Sequence, residues 1–303
     1  MSDVKLFRVD GGVAQEVPGT AVVLERSLQT LIERNLDTLL GVRFLASEHS
    51  TGPKHGGRID TLGIDENGSP VIIEYKRSTN ENVISQGLFY LDWLFDHRAE
   101  FKLLALEKLG KSVADAIDWT APRLLCIAGG FTRYDEHAVQ QMGRNIELIR
   151  HRRFGEGLLL FELVNAASAD GHAASQASQT AGAGNDKTMA ETVGALQGPL
   201  RDLYEELRSY LSALGDDVQE KVLKYYIAFK RIRNFACVEP HQGKGKLTLF
   251  VNVNPDTARL EQGFTRDVRT IGHYGTGDLE ITLRSREDLE RAKSLLQQSY
   301  EAS

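Results

Sequence analysis

Residues 56–90 have the sequence GGRIDTLGIDENGSPVIIEYKRSTNENVISQGLFY, in which two strand-like runs are followed by a helix-like run. Glu66, Asn67 and Gly68 are typical turn residues between two apolar runs, and they predict a β-hairpin. After the second run, apolar residues recur at helical spacing from residue 80 to about residue 101. The segment therefore predicts a strand hairpin that leads into a long helix.

The flanking residues continue this alternation of strands and helices. Upstream, apolar residues at helical spacing predict a helix over residues 24–40, and a short strand is expected over residues 44–47. Downstream, we expect strands over residues 122–128 and 157–164, with a helix over residues 135–146 between them. This order predicts an α/β fold in which helices flank a mixed sheet.

Residues 165–190 differ in composition from the rest of the chain. They are rich in Ala, Ser and Gly and poor in large apolar residues, so they cannot bury enough surface to offset the entropy of ordering. We interpret them as a flexible linker between a domain of residues 1–164 and a smaller domain of residues 191–303.

The smaller domain has the pattern of an α+β fold. Helices are expected over residues 199–211, 216–230 and 286–300, from the helical spacing of their apolar residues. Strands are expected over residues 247–253 and 279–283, where apolar and polar residues alternate or apolar residues run together.

Composition is that of an ordinary globular protein, with 41% hydrophobic and 26% charged residues. The sequence has no apolar run near the roughly 18 residues needed to span a bilayer, and its first residues lack an apolar signal core. These features predict a cytoplasmic protein without a membrane partner. The net charge of −6 disfavours nucleic-acid binding through bulk charge, although a bound cation and a local basic patch can supply the attraction instead.

A group of charged residues in the hairpin suggests chemistry. Alternation along a strand places Glu74 and Lys76 on one face, and the tight turn folds Asp60 back toward the same end. Two carboxylates that converge in a fold repel each other unless a cation offsets their charge. Mg²⁺ prefers oxygen ligands and accepts one or two carboxylates. The hairpin therefore predicts a site for Mg²⁺ or Mn²⁺.

The same residues resemble a known family. Asp60 followed by Glu74, Tyr75 and Lys76 is similar to the D…(D/E)-x-K core of the PD-(D/E)XK nucleases, with Ile59 where that family's motif has proline. The resemblance implies a restriction-endonuclease-like fold. It also implies that Asp60 and Glu74 bind the metal ion and that all three charged residues take part in catalysis.

Two further matches extend the resemblance. Gln86 and Tyr90 form a Gln-x-x-x-Tyr motif like that of RecB-like nucleases, and residues four apart share a helix face, so both are implied to be catalytic. Glu33 matches the helical glutamate that supplies an extra metal contact in many such enzymes, although by itself it equally fits an exposed helix residue. Residues 58–77 also resemble the core of NucS-type mismatch endonucleases, in which the nuclease domain is C-terminal.

Several basic residues near these motifs are candidate phosphate contacts, which position DNA without reading its sequence. They are Lys54, Arg77, Arg150, Arg152 and Arg153. The alternative for the run at residues 150–153 is a solvated surface strand. The sequence thus predicts a metal-dependent DNA nuclease, an endonuclease if it resembles the NucS type. The alternative is a non-catalytic nucleic-acid-binding or interaction protein that retains the fold. A homodimer would suit double-strand cleavage, which needs two sites.

Overall fold

The computed structural model describes residues 4–20, 25–76, 83–167 and 188–303. The chain divides into two compact units, Met1–Thr180 and Ala181–Ser303. Within the described residues, no helix combines the length and the apolar character that crossing a bilayer requires.

In the described part of the first unit, seven strands form a mixed sheet in the order β3-β8-β7-β6-β5-β4, with β9 paired to β8. Strand β7 pairs parallel with both β6 and β8, whereas β5 pairs antiparallel with both β4 and β6. A separate hairpin of β1 and β2 precedes the sheet. The strands are β1 (Leu6–Asp10), β2 (Val13–Val17), β3 (Gly19–Thr20), β4 (Val42–Ser50), β5 (Arg58–Asp65), β6 (Pro70–Lys76), β7 (Arg123–Ala128), β8 (Asn145–Phe154) and β9 (Leu158–Ala167).

Helices flank this sheet, and they are α1 (Glu25–Arg34), α2 (Leu36–Leu40), α3 (Gly52–His55), α4 (Val83–Asp96), α5 (Arg98–Leu109), α6 (Lys111–Asp115) and α7 (Arg133–Gln141). Leu91 and Leu94 of α4 belong to the same buried cluster as Ile72 of β6 and Leu124 of β7. The predicted α/β class, with a mixed sheet between helices, is confirmed.

Three predicted helices have different bounds. The helix expected from residue 80 to about residue 101 is divided into α4 and α5 at His97, whose backbone angles (φ −116°, ψ 34°) leave the helical region. The helix expected over residues 24–40 is broken at Asn35, whose backbone angles (φ −126°, ψ 25°) leave the helical region. The helix expected over residues 135–146 ends earlier because Gly143 has φ 59°, which reverses the chain before β8 starts at Asn145.

The second unit is an antiparallel sheet with helices on one face, which confirms the predicted α+β class. In its described part, six strands have the order β10-β11-β12-β13-β15-β14. They are β10 (Gln219–Val222), β11 (Ile227–Lys230), β12 (Asn234–His241), β13 (Lys246–Val251), β14 (Thr265–Asp267) and β15 (Leu279–Leu283). The helices are α8 (Met189–Gly194), α9 (Gly198–Ser212) and α10 (Arg286–Glu301).

The helix predicted over residues 216–230 is wrong, since this segment forms the β10–β11 hairpin. Strand β11 is buried on both faces. Ile227 and Phe229 pack with the helices, while Ala228 packs in a smaller cluster with Cys237 on the other side of the sheet. A strand buried on both faces has consecutive apolar residues, which short patterns do not distinguish from a helix.

The segment predicted as a linker is flanked by regular structure. Strand β9 extends to Ala167, so the first three residues of the predicted linker belong to it. At the other end, Thr188 and Glu191 form a capping box that starts α8 at Met189. Residues 168–187 lie outside the described part of the chain.

A buried ion-pair network joins three strands at one end of the first sheet. Arg123 of β7 donates to both oxygens of Glu147 on β8 (2.9 and 2.8 Å) and to Oδ2 of Asp65 on β5 (2.8 Å). All three side chains are buried. Burial disfavours the charged guanidinium, but the two carboxylates outweigh it and raise the pKa of Arg123 above its ordinary value.

Replacing Arg123 with methionine should destabilise the protein strongly. The variant would keep two buried carboxylates without their counter-charge, so we expect the free energy of unfolding to fall by about 3–5 kcal/mol. Urea unfolding followed by circular dichroism measures this. Lys102→Met is the control, because it removes only an exposed ion pair with Asp115. Equal shifts of the urea midpoint in both variants would contradict a structural role for the network.

The pKa of Glu239 on β12 makes the stability of the second unit depend on pH. Burial raises this pKa from 4.5 to about 7; Glu280 adds to the effect and Lys246 opposes it. The folded state therefore holds an extra proton between these two values. This contribution to stability is complete below the unfolded pKa and is lost as the pH rises through the folded pKa.

Replacing Glu239 with glutamine should remove this dependence, since the amide needs no proton to stay uncharged. We expect the melting temperature of Glu239→Gln to exceed that of the wild type at about pH 8.5 and to match it at about pH 4. Thermal unfolding at both pH values, beside Glu287→Gln at an exposed position of α10, measures the effect. A variant that is less stable than the wild type at the higher pH would contradict the prediction.

Candidate metal centre

Asp60 and Glu74 lie side by side on neighbouring strands. The antiparallel register pairs Thr61 of β5 with Ile73 of β6, which places the two acidic residues next to this pair. The backbone N–H of Asp60 donates to Oε1 of Glu74 at 3.2 Å, and Oδ2 of Asp60 accepts from the backbone N–H of Tyr75 at 3.0 Å. Glu74 is fully buried, and Asp60 is half-buried. The structure thus brings the two carboxylates together at one end of the hairpin.

Lys76 is the last residue of β6 and shares a face with Glu74, two positions earlier. The parallel register aligns Lys76 with Ala128 of β7, and Ala128 with Arg150 of β8. Arg150 therefore lies on the same face and at the same end of the sheet, two strands or about 10 Å away. Its Nη2 donates to Oε1 of Glu162 on β9 at 3.3 Å.

Tyr90 connects helix α4 to the start of β5. Its hydroxyl accepts from the backbone N–H of Arg58 (3.1 Å) and from Nε2 of Gln86 (3.2 Å), so the two motif residues contact each other. Gly57 leaves room for the ring, because a Cβ there would lie 2.7 Å from the Tyr90 hydroxyl. The buried phenol therefore ties α4 to the backbone two residues before Asp60.

Glu33, on α1, is held beside β5. The hydroxyl of Thr61 donates to Oε1 of Glu33 at 2.6 Å, and Nε2 of Gln29 donates to the same oxygen at 3.1 Å. Thr61 follows Asp60 in the strand and so points to the opposite face. Glu33 is therefore held on the face to which Thr61 points, opposite Asp60 and Glu74, and the described residues do not gather its carboxylate with theirs in one cluster of potential metal ligands.

The phenol of Tyr75 lies near all three predicted metal ligands. Burial raises its pKa above the ordinary value, although its hydrogen bond with Thr61 acts in the other direction. The negative charges of Glu33, Asp60 and Glu74 raise this pKa further.

The structure gives less support to the other residues that were predicted to contact phosphate. Nη1 of Arg152 donates to the carbonyl oxygen of Val4 at 3.0 Å, and Nη2 of Arg153 donates to that of Glu156 at 2.6 Å. Both guanidinium groups therefore have a partner within the chain. Two further candidates fall outside what the structure describes, Arg77 as a whole and Lys54 in its side chain.

Gln29 is a site residue that the sequence reasoning missed. Its side chain is buried, and its Nε2 lies within hydrogen-bond distance of Oε1 of Glu33, the carbonyl oxygen of Asp60 (3.0 Å) and Oγ of Ser47 (3.3 Å). It precedes Glu33 by four residues, so the two share a helix face. The signal that the sequence offered for Gln29 was its position as a polar residue directly after Leu28, an apolar residue that is buried in the structure.

Replacing Gln29 with leucine should destabilise the first unit. The change leaves the oxygens of Glu33 and Asp60 without this donor, so we expect the free energy of unfolding to fall by about 1–3 kcal/mol. Urea unfolding measures this, with Thr30→Ala as the control, because that exposed hydroxyl bonds only within its own helix. If the two variants unfold at the same urea concentration, the buried amide does not hold α1 against β5.

Among known proteins, a family model matches the second unit, and a relative matches almost the whole chain. Residues 190–303 match the model of a family described as a domain of unknown function, DUF5655. The whole chain is similar to a protein of Haemophilus influenzae described as uncharacterized. The two are 28% identical over 311 positions, which cover 98% of this chain and 99% of that one.

Solved structures of endonucleases match part of the chain. A repair endonuclease from Pyrococcus abyssi is 21% identical, with a TM-score of 0.29, over 42% of this chain and 47% of that one. A complex of EndoMS with double-stranded DNA is 20% identical, with a TM-score of 0.25, over 42% of this chain and 44% of that one. The chain thus matches less than half the length of these structures, and its function has to be inferred from the geometry of its own site.

Proposed function

We propose that the chain is a metal-dependent nuclease that hydrolyses phosphodiester bonds of DNA. The observation that carries this proposal is the contact of Asp60 with Glu74, from two neighbouring strands, on the face to which Lys76 also points. Because the two strands pair directly, two carboxylates and one ammonium group lie at the same place on the sheet. These are the functional groups that metal-dependent hydrolysis of a phosphodiester needs.

The donor atoms fit a hard divalent cation. Ionised carboxylates in a buried environment repel each other, and a cation between them offsets both charges. Oxygen ligands suit Mg²⁺ or Mn²⁺, and we assign Asp60 and Glu74 to hold the ion. Glu33 would become a third ligand from α1 only by leaving its hydrogen bonds with Thr61 and Gln29. A bound ion of this kind polarises a phosphoryl oxygen and lowers the pKa of its water ligand.

The remaining side chains would position the reacting groups. The ammonium group of Lys76 would hold the attacking water and offset the negative charge that develops on the phosphoryl oxygens. Gln86 and Tyr90 would act as positioning residues, because their hydrogen bonds hold α4 against the backbone that leads to Asp60.

The proposed contact with DNA uses a basic side chain at the same end of the sheet. Arg150 is aligned with Lys76 across β7, points to the same face and is paired with Glu162. A phosphate of the DNA backbone would replace Glu162 as the partner of this guanidinium group, which would position the strand without reading its bases.

Purified protein should cleave DNA in the presence of Mg²⁺ or Mn²⁺ and lose cleavage with a chelator. Asp60→Asn and Lys76→Met should each reduce the cleavage rate by at least about 10²-fold, because each removes a charge that acts on the transition state. Gel assays on supercoiled, linear and single-stranded DNA measure the rates. Asp37→Asn, at an exposed position of α2, is the matched control.

Two outcomes would reject the proposal. Equal cleavage by the wild type and both site variants would mean that these residues are not catalytic. Tight DNA binding by the wild type without cleavage in either metal would favour the alternative of a non-catalytic nucleic-acid-binding protein.

A further inference from the structure

A second group of potential metal ligands lies on another face of helix α4. His55, the last residue of α3, and Asp92 and Asp96 of α4 each offer a ligand atom, and these atoms all lie within 4.8 Å of one another. The two aspartates are four residues apart and share a helix face. At about 100° per residue, Asp92 and Asp96 lie about 160° and about 120° around the helix from Tyr90. The cluster is therefore distinct from the Asp60–Glu74 site.

His55 supplies the observation that points to a ligand. Its Nδ1 is buried and has no hydrogen-bond partner among the described residues. The ring is held by Phe89 at 5.1 Å and by His97, edge-on, at 5.6 Å between centroids. A buried nitrogen without a partner destabilises the folded state, and coordination of a cation would offset this cost.

The aspartates give the cluster its charge and its access to solvent. Like charges four residues apart on a helix repel each other, and a bound cation would turn this repulsion into a shared attraction to the ion. Asp92 and Asp96 are both exposed, so an ion can reach them from solution.

We propose that His55, Asp92 and Asp96 form a site for a transition-metal ion of the Zn²⁺ class. One imidazole nitrogen and two carboxylate oxygens suit Zn²⁺ or Co²⁺, whereas Mg²⁺ prefers oxygen ligands alone. Metal–ligand bonds of about 2.0–2.2 Å bring tetrahedral ligand atoms to about 3.4 Å from one another. Small rotations of the two exposed side chains achieve this, and water completes the coordination.

The bound ion would hold α3 against α4. His55 is followed by Gly56 and Gly57 and then by β5, so the ion would fix the segment that leads to Asp60. Occupation of the site should therefore raise the melting temperature of the protein by linkage between binding and folding.

Metal alone is the probe for this site. In the full chain carrying Asp60→Asn, which removes a ligand of the other site, calorimetric titration with Zn²⁺ and absorption spectra with Co²⁺ should show one bound equivalent. Asp92→Asn, Asp96→Asn and His55→Phe, which keeps the ring packing, should each weaken it at least tenfold. Glu107→Gln, at an exposed position of α5, is the matched control and should bind as the wild type does.

Asp60→Asn separates this proposal from the nuclease proposal, since it removes a ligand of the other site. An equivalent of Co²⁺ that persists in Asp60→Asn and is lost in Asp92→Asn belongs to the His55 cluster, whether or not the protein cleaves DNA. Unchanged binding in all three cluster variants would overturn the proposal, as would wild-type protein that binds neither metal at about 1 mM. Circular dichroism spectra and urea midpoints show that each variant is folded.

Discussion

The register of β5 against β6 is the constraint on which the metal centre depends. A shift of one residue would move Asp60 to the face opposite Glu74 and separate the carboxylates. Asp65 fixes the register from the other end of the hairpin. Its Oδ1 accepts from the backbone N–H groups of Asn67 and Ser69 in the turn, and its Oδ2 receives the guanidinium of Arg123. One carboxylate thus sets the turn and anchors it to the centre of the sheet.

Local signals predicted this part of the fold because the interactions that form it are local. The turn at residues 66–68 and the two-residue period of the strands place Asp60 beside Glu74 without knowledge of the remaining chain. The β10–β11 hairpin was not predictable in this way. Its apolar run at residues 227–229 packs on both sides of a sheet, which depends on strands far away in sequence. Asn35 likewise breaks a helix whose apolar spacing continues across it.

The contacts that complete the site are mostly between distant segments. Arg150 could be named from its charge, but its alignment with Lys76 follows from β7 lying between β6 and β8, and no local pattern specifies that order. Gln29 gains its role from a strand more than thirty residues later, through the carbonyl oxygen of Asp60. Sequence patterns therefore indicated the candidate charged residues, and tertiary structure supplied the buried amide and hydroxyl groups that contact them.

Helix α4 connects the two candidate metal sites. One face presents Tyr90 to the backbone N–H of Arg58, and another presents Asp92 and Asp96 to His55. Both faces therefore contact residues 55–58, the segment that enters β5 just before Asp60. Gly57 lies within this segment, and any side chain there would displace the Tyr90 hydroxyl. Helix α4 contacts this segment at both ends, through the Phe89 ring against His55 and the Tyr90 hydroxyl against Arg58, so it positions Asp60 together with the pairing of its own strand.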